Sequence, residues 1–367
     1  MKIELDSPNL GELEKKYLCE CVDSSFVSTI GPFVTKFEEE FARYLEVPRA
    51  VSVQSGTSAL HIALIELGIT TGDEVILPAL TFVASANPIR YVGSTPVFVD
   101  VDPVTWNISP EKIEKAITKK TKAIMPVHLY GNPCDMDSIM NIAKKHDIFV
   151  IEDATESLGA TYTGRYTGTI GDIGCYSFNG NKVITTGGGG MVVAKDAQRA
   201  EHIKFLVNQA RDVSRGFYHT EVGYNMRMTN LEASLGLAQM ERLDTFIEKK
   251  KSFNNIYREI LADIPFIKFQ EEGAQGKSAW WLSSVTIEHP HKDIPTIQEE
   301  LKIKGIPSRR LFVPINKFPP YKNYTPHEFP TCEYLYEYGM NLPSSTVNNE
   351  DDIIFVAEAL KDICCNV

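Results

Sequence analysis

Short apolar runs alternate with amphipathic stretches through the first half of the chain. Each stretch between two runs is long enough for a helix and repeats its apolar positions with helical spacing. Buried strands separated by such helices indicate βαβ units and a mostly parallel sheet. Ligands of these sheets bind beyond the carboxyl ends of the strands. Chemistry is therefore expected just after the apolar runs, which occupy residues 50–54, 73–78, 95–102, 122–131 and 147–154.

The pattern changes after residue 190. The later elements are a strand, a long helix broken near Asp244, an alternating strand and two helices, predicted at 191–194, 230–263, 278–288, 294–305 and 350–363. Helices and strands in this part no longer alternate as βαβ units. We predict an α/β protein with a large domain over 1–244 and a smaller C-terminal α+β domain over 245–367.

Composition narrows the class of protein. The 367 residues are 43% hydrophobic with a net charge of −11, which allows a large core and argues against a nucleic-acid-binding surface. The seven cysteines show no C-x-x-C spacing, so a reduced cytoplasmic chain without a metal site is expected. No apolar run reaches the length of a membrane span, and no membrane partner is expected.

Two polar features follow predicted strands. Ser55, Gly56 and Thr57 stand where the first strand turns into a helix, a position that suits phosphate binding or an ordinary helix N-cap. Asp153 closes an apolar strand, and a buried carboxylate needs a partner. A protonated ring nitrogen would serve, and so would a lysine, an arginine or a backbone amide.

Two further candidates are an aromatic ring and an amine. Phe82 ends the second strand and either stacks on a planar ligand or belongs to the core. Lys182 stands in a segment, 175–193, whose only other ionisable side chains are Cys175 and Tyr176. Desolvation without a fixed anion lowers the pKa of a lysine and makes its amine a nucleophile, although a surface lysine in a hairpin is the alternative.

Together these features describe a site for pyridoxal 5'-phosphate (PLP). Asp153 would keep the pyridine nitrogen protonated, which makes the ring an electron sink. Lys182 would hold the cofactor as a Schiff base and later move a proton at the substrate carbon. Ser177 could add a hydroxyl to the phosphate, and glycines 187–190 would let backbone pass close to the cofactor or to a second subunit.

The motifs "SGTSALHIAL", "VIEDATESLGA", "GDIGCYSFNGNK" and "GYNMRMTNLEASLGLAQMERL" occur in this order. With them the chain resembles the DegT/StrS family of sugar aminotransferases over nearly its whole length. The resemblance implies a fold-type I homodimer whose active sites lie between the subunits. It also implies transfer of an amino group from L-glutamate to a keto sugar carried on a nucleotide.

The resemblance assigns roles by position. Lys182 and Asp153 match the Schiff-base lysine and the ring-nitrogen partner. Further residues match the cofactor-binding positions of the family, namely Ser55, Gly56, Thr57, Phe82, Glu156, Ser177 and Asn225. The resemblance places Glu156 beside the phenolic oxygen of the cofactor. It implies that Asn225 reaches the cofactor of the neighbouring subunit. The residues expected near the substrate are Phe26, Ser28, Thr29, His128, Tyr130, Arg227, Arg309, Arg310 and Asn316.

Departures from the family pattern leave the sugar open. Arg310 and Asn316 stand where relatives often have proline and histidine, and "TTGGGG" lacks a glutamate that is frequent there. The motifs resemble enzymes that aminate UDP-linked 4-keto-6-deoxy N-acetylhexosamines, on routes to bacillosamine and legionaminate, and also GDP-perosamine synthases. A second arginine could instead meet the carboxylate of a sugar acid.

Other classes are less compatible with these motifs. Relatives that dehydrate a sugar replace the active-site lysine by histidine, and Lys182 argues against that activity. A non-catalytic regulatory relative would not need Lys182, Asp153 and Ser177 together. No G-x-G-x-x-G follows the early strands, and the glycine run is not followed by Lys and Ser/Thr, which argues against nicotinamide or nucleoside-triphosphate binding.

Overall fold

A seven-stranded sheet organises the chain in the computed structural model, which describes residues 2–324 and 328–365. Its strand order is β1-β9-β8-β5-β4-β2-β3. Only β9 runs antiparallel to its neighbours, so the predicted, mostly parallel sheet is confirmed. The strands are β1 (Ala50–Val53), β2 (Glu74–Pro78), β3 (Thr95–Val99), β4 (Thr121–Ile124), β5 (Phe149–Asp153), β8 (Ile173–Ser177) and β9 (Gly190–Ala194).

Twelve α-helices cover the sheets within the described ranges. They are α1 (Glu12–Asp23), α2 (Pro32–Tyr44), α3 (Gly56–Glu66), α4 (Asn87–Tyr91), α5 (Pro110–Ala116), α6 (Met136–His146), α7 (Ala197–Val207), α8 (Asn230–Met240), α9 (Leu243–Leu261), α10 (Ile294–Ile303), α11 (Pro330–Tyr338) and α12 (Glu350–Cys365). Side-chain oxygens of Asp135, Asp196 and Asp293 accept hydrogen bonds at the starts of α6, α7 and α10. These caps satisfy backbone N–H groups that have no partner inside the helix.

A second, four-stranded sheet forms beyond α8, in the order β12-β14-β16-β15. Its strands are β12 (Ile267–Phe269), β14 (Ser283–Ile287), β15 (Arg309–Arg310) and β16 (Gly339–Leu342). With α9, α10 and α12 it encloses its own apolar cluster. The break between α8 and α9 falls at 241–242, close to the predicted break near Asp244.

The N-terminal segment packs on this second unit. Ile3 belongs to the same apolar cluster as α12, and Leu5 O accepts a hydrogen bond of 2.7 Å from Ser344 N. The domain division at residue 244 stays a prediction, and these N-terminal contacts cross it.

Smaller elements complete the fold. A three-stranded sheet contains β6 (Thr161–Tyr162), β7 (Arg165–Tyr166) and β13 (Gly276–Lys277), and a hairpin contains β10 (Arg211–Asp212) and β11 (Tyr218–His219). In the ranges 2–324 and 328–365, no helix has the length and apolar character that crossing a bilayer requires.

A buried carboxylate, Glu152 of the central strand β5, binds the backbone of the segment 168–171 that leads into β8. It accepts hydrogen bonds from the backbone N–H groups of Gly168, Ile170 and Gly171 at 2.6–2.7 Å and lies 3.0 Å from His128 Nε2. Burial opposes its charge, but these donors hold the pKa of Glu152 below its ordinary value. Because His128 Nδ1 accepts from Cys134 N, a neutral ring carries its proton on Nε2, toward Glu152.

Candidate active site

A cavity of about 510 Å³ opens beyond the carboxyl ends of β1, β2, β5 and β8. This is the position expected for a ligand of a parallel sheet. The structure brings many of the predicted site residues to its wall, namely Ser55, Gly56, Thr57, Phe82, Asp153, Glu156, Ser177, Lys182 and Arg309. It also brings residues that sequence reasoning missed, among them Ser85, Thr155, Asn181, Trp281 and Phe312.

One end of the cavity is the first turn of α3. Ser55 Oγ accepts a hydrogen bond of 3.0 Å from Ser58 N, so the N-cap interpretation of Ser55 is confirmed. The first N–H groups of a helix have no intrahelical acceptor and favour an anion. A side chain on Gly56 would place its Cβ 2.8 Å from Ser177 Cβ. The helix start and the Ser177 hydroxyl therefore form one polar end.

The glycine run lies against this turn. Gly188 and Gly189 line the cavity, and a Cβ on Gly190 would stand 2.6 Å from the backbone carbonyl of Ser55. Only glycine allows β9 to begin this close to the start of α3. The run thus shapes the polar end by bringing two backbone segments together.

Asp153 lies at the end of β5 and is only 2% exposed. Its Oδ2 accepts from Ser85 Oγ at 2.7 Å, and its Oδ1 accepts from Thr155 Oγ1 at 2.7 Å and from Thr155 N at 3.2 Å. The backbone-amide alternative is thus present, whereas the ion pairs between described residues include no lysine or arginine with Asp153. The carboxylate keeps a fixed orientation at the cavity wall.

Lys182 is buried and has an anion beside it. Its Nζ lies 3.7 Å from Glu156 Oε1, and its side chain is only 14% exposed, which excludes a surface lysine. Burial lowers the pKa of Lys182 although Glu156 opposes the shift, so the predicted direction is confirmed. The predicted absence of a fixed anion is wrong, because Glu156 comes from another segment of the chain.

Glu156 is the counterpart of this amine. It is 3% exposed, and its Oε2 accepts a 2.9 Å hydrogen bond from Tyr130 N. Burial raises the pKa of Glu156 above its ordinary value, against the effects of Lys182 and of the Tyr130 N–H. Burial thus opposes the charged form of both the amine and the carboxyl group.

Aromatic rings form one side of the cavity. Phe82 is 54% exposed, so it is not a core residue, and its ring lies 5.7 Å from that of Phe312. The ring of Trp281 lies 4.0 Å from Lys182 Nζ. Such faces suit a planar ligand or a cation.

The side chains of the adjacent residues Arg309 and Arg310 point in different directions. Arg309 lines the cavity and forms a 2.9 Å ion pair with Asp6. Arg310 donates to the backbone carbonyls of Tyr336 and Glu337 and stacks on the Tyr336 ring. Successive side chains of a strand point to opposite faces, so the position of Arg310 does not support the expected substrate contact. Asn316 is also absent from the described lining residues.

His128 and Tyr130 lie beneath the wall and are 0% exposed. His128 is engaged by Glu152 and Cys134, as described above, and Tyr130 Oη accepts a 3.1 Å hydrogen bond from Phe312 N. Their polar atoms bond to protein groups that support the wall, so their positions give no support to a direct ligand contact, which stays a prediction.

The remaining expected contacts lie outside this chain's cavity. Phe26 and Ser28 have their backbone carbonyls bonded to Asn230, Arg227 forms a backbone bridge with Val53, and Asn225 is exposed. Thr29 lies in the same segment as Phe26. Roles for these residues stay predictions.

A signal for Trp281 existed in the sequence. Two tryptophans in succession, Trp280 and Trp281, interrupt the alternation of residues 278–288. Trp280 has φ 47°, a left-handed conformation that is rare for a bulky residue. Both tryptophans precede β14, and the Trp281 ring lines the cavity.

A family model described as the DegT/DnrJ/EryC1/StrS aminotransferase family matches residues 8–361. The chain belongs to this family. GDP-perosamine synthase of Escherichia coli O157:H7 is 42% identical over 361 residues, which make up 98% of each chain. The GDP-perosamine synthase of Caulobacter vibrioides is 40% identical, covering 99% of this chain and 98% of that protein. The PLP form of Spr1654 from Streptococcus pneumoniae matches with TM-score 0.93 at 28% identity, over 99% of each chain.

Like its family, the chain is a PLP-dependent sugar aminotransferase of fold type I. Its residues fit the cofactor. The α3 turn with Ser177 suits the phosphate, Asp153 suits a protonated ring nitrogen, and Lys182 supplies an amine. Among the described residues, no cluster of His, Cys, Asp or Glu suits a metal ion.

The contact between Gly190 and Ser55 yields a prediction. We expect Gly190→Ala to destabilise the protein by about 1–3 kcal/mol, the usual range for overpacking, and to weaken PLP binding because the α3 turn must move. Thermal unfolding and titration of apoenzyme with PLP measure the two effects. Gly180→Ala is the control, since a Cβ there meets no atom within 4 Å. Equal behaviour of both variants would contradict the role of this contact.

Proposed function

We propose that this protein transfers the amino group of L-glutamate to C4 of a nucleotide-linked 4-keto-6-deoxy sugar, for the synthesis of a surface polysaccharide. The observation that carries the proposal is the convergence of Lys182, Asp153 and the Ser55–Thr57 turn on one cavity. Relatives named GDP-perosamine synthase, 42% and 40% identical over almost their full length, support a GDP-linked sugar.

Different residues of the cavity would bind the cofactor and move the proton. The α3 turn and Ser177 bind the phosphate, Phe82 offers a ring face, and Asp153 keeps a proton on the ring nitrogen. PLP, when bound, supplies an electron sink for the bonds at the reacting carbon. Lys182 Nζ holds the cofactor covalently and, once released, moves the proton at the carbon that loses or gains the amino group.

Glu156 and Arg309 contribute charges of opposite sign to the wall. Glu156, 3.7 Å from Lys182, accepts or returns a proton as the amine changes state. Arg309 is the guanidinium among the described lining residues, and it binds an anionic group of a substrate. Arg310 donates its hydrogen bonds to backbone carbonyls. Its position therefore does not support the alternative in which a second arginine binds the carboxylate of a sugar acid.

A homodimer with shared active sites is part of the proposal. Several apolar side chains are exposed in the segment 26–30 and around the hairpin 211–222, namely Phe26, Ile30, Val213, Phe217 and Val222. Exposed apolar groups of this kind favour a protein partner. Asn225, which follows the hairpin, lies off this chain's cavity and would reach the cofactor of the neighbouring subunit.

The role of Lys182 is testable by trapping. Borohydride reduction of the holoenzyme, followed by peptide mapping, is expected to place the cofactor on Lys182. Lys182→Ala should lower turnover by at least ~10²–10⁴, the contribution of a positioned acid or base. Lys195→Ala, which changes an exposed lysine just after β9, should keep full activity. Cofactor trapped on another lysine would refute the assignment.

A substrate panel tests the reaction. With L-glutamate as donor, GDP-, UDP- and dTDP-linked 4-keto-6-deoxy sugars are compared by mass spectrometry of the aminated product. We expect the GDP-linked sugar to have the highest kcat/KM. Turnover confined to a keto sugar acid without a nucleotide would overturn the proposed substrate, and a donor other than glutamate would overturn the proposed donor.

Coexpression tests the shared site. If Lys182 and Asn225 of one site come from different subunits, a mixed dimer of Lys182→Ala and Asn225→Ala chains has one intact site. Random pairing then restores about a quarter of the sites. Lys182→Ala with Asp153→Asn is the control and should restore none, because both residues line one chain's cavity. No recovery in isolated mixed dimers, or a monomeric mass in light scattering, would contradict the proposal.

A further inference from the structure

The Trp281 indole stands against the active-site amine. Trp281 is 1% exposed, yet its ring contributes to the cavity wall, and Lys182 Nζ lies 4.0 Å from the ring centre. An ammonium group over an indole face is attracted by the electrons of the ring, most strongly where water is excluded. Lys182 thus has two favourable neighbours, the carboxylate of Glu156 and this indole.

The indole is fixed to the same backbone that carries the lysine. Trp281 Nε1 donates a 2.7 Å hydrogen bond to the carbonyl of Asn181, the residue before Lys182. Asn181 Nδ2 in turn donates to Asp6 Oδ2 at 3.1 Å. The ring of Tyr130 packs against Trp281 at 6.3 Å. The ring therefore has little freedom to turn away from Lys182.

A buried lysine holds the backbone of Trp281. Lys250 on α9 is 4% exposed, and its Nζ donates to Trp281 O at 3.0 Å and to Ser344 O at 2.8 Å. The ion pairs found among the described residues include no carboxylate partner for Lys250. Burying an amine without an ion pair is costly. The role that the structure gives this lysine is to join the Trp281 and Ser344 segments.

Lys250 performs this task in either protonation state. Burial lowers its pKa to about 7, although Asp6 opposes the shift. Both the ammonium and the neutral amine have at least two N–H groups. The two carbonyl contacts therefore persist on both sides of neutral pH.

We propose that Trp281 and Lys250 are positioning residues for Lys182: the indole face holds the free amine beside Glu156, and Lys250 fixes the backbone that carries the indole. The proposal rests on the role proposed for Lys182 and deepens it. During turnover the amine must leave the cofactor and later return, and a fixed resting place keeps it within reach of the reacting carbon.

The test measures the pKa of the free Lys182 amine in the full-length apoenzyme. The rate at which Lys182 reacts with an amine-directed reagent, followed by peptide mass spectrometry across pH, reports its pKa. The indole stabilises the ammonium form, so Trp281→Leu should lower the pKa of Lys182 by about 0.4–1.5 units. Trp281→Phe should give a smaller shift. The other charged groups that influence Lys182, namely Glu156, Asp153 and Arg309, stay unchanged.

The neighbouring tryptophan provides a matched control. Trp280 lies over Arg258, 5.2 Å from its guanidinium, and does not line the cavity. Trp280→Phe should leave the pKa of Lys182 unchanged. Lys250→Met, which leaves two backbone carbonyls without their donor, should shift it in the same direction as Trp281→Leu. Lys250→Gln keeps an N–H donor and should shift it less.

Each result decides part of the proposal. A folded Trp281→Leu protein with an unchanged Lys182 pKa would overturn the indole contact. If circular dichroism shows that Trp281→Leu does not fold, equal shifts for Trp281→Phe and Trp280→Phe would overturn it instead. A wild-type Lys182 pKa in Lys250→Met would remove Lys250 from the arrangement. These readouts need neither cofactor nor turnover, so they fail independently of the borohydride and substrate experiments.

Discussion

The burial of the Lys182 amine is the requirement on which the rest of the cavity depends. An amine removed from water must be stabilised by the protein or lose its charge. The cavity provides one carboxylate, Glu156, and one indole face, Trp281. Burial lowers the pKa of Lys182, and Glu156, 3.7 Å away, opposes the shift without reversing it. An amine in this state can be both nucleophile and proton carrier.

Two adjacent carboxylates of the large sheet have different roles, one in the packing and one at the cavity. Glu152 and Asp153 are consecutive in β5, and alternation sends them to opposite faces. Glu152 is saturated by donors from the backbone and His128 and has no contact left for a ligand. Asp153 accepts from two hydroxyls and one amide and lines the cavity. Two carboxylates of one strand therefore have different roles, because one faces the supporting backbone and the other faces the cavity.

The N-terminal segment connects the two units at the cavity. Asp6 Oδ2 accepts hydrogen bonds from Arg309 of the second sheet and from Asn181 beside Lys182. One carboxylate thus links the guanidinium expected to bind a substrate anion with the loop that carries the amine. Trp281 makes a parallel connection: its Nε1 donates to Asn181 O in the large unit, and Lys250 holds its backbone within the second unit. The cavity is therefore supported from both units.

Much of this protein was determined by the sequence alone. Apolar runs and helical spacing predicted the parallel sheet, and the order of motifs predicted the family together with Lys182, Asp153 and the Ser55 turn. These features depend on local pattern and on strand ends, which a linear chain displays. What only the tertiary structure decided is which side chains face each other across distant segments. Glu156 beside Lys182, Arg309 toward the cavity with Arg310 away from it, and Trp281 over the amine all depend on register and packing. A linear pattern does not record these relations, because they arise only when separate strands and helices are brought together.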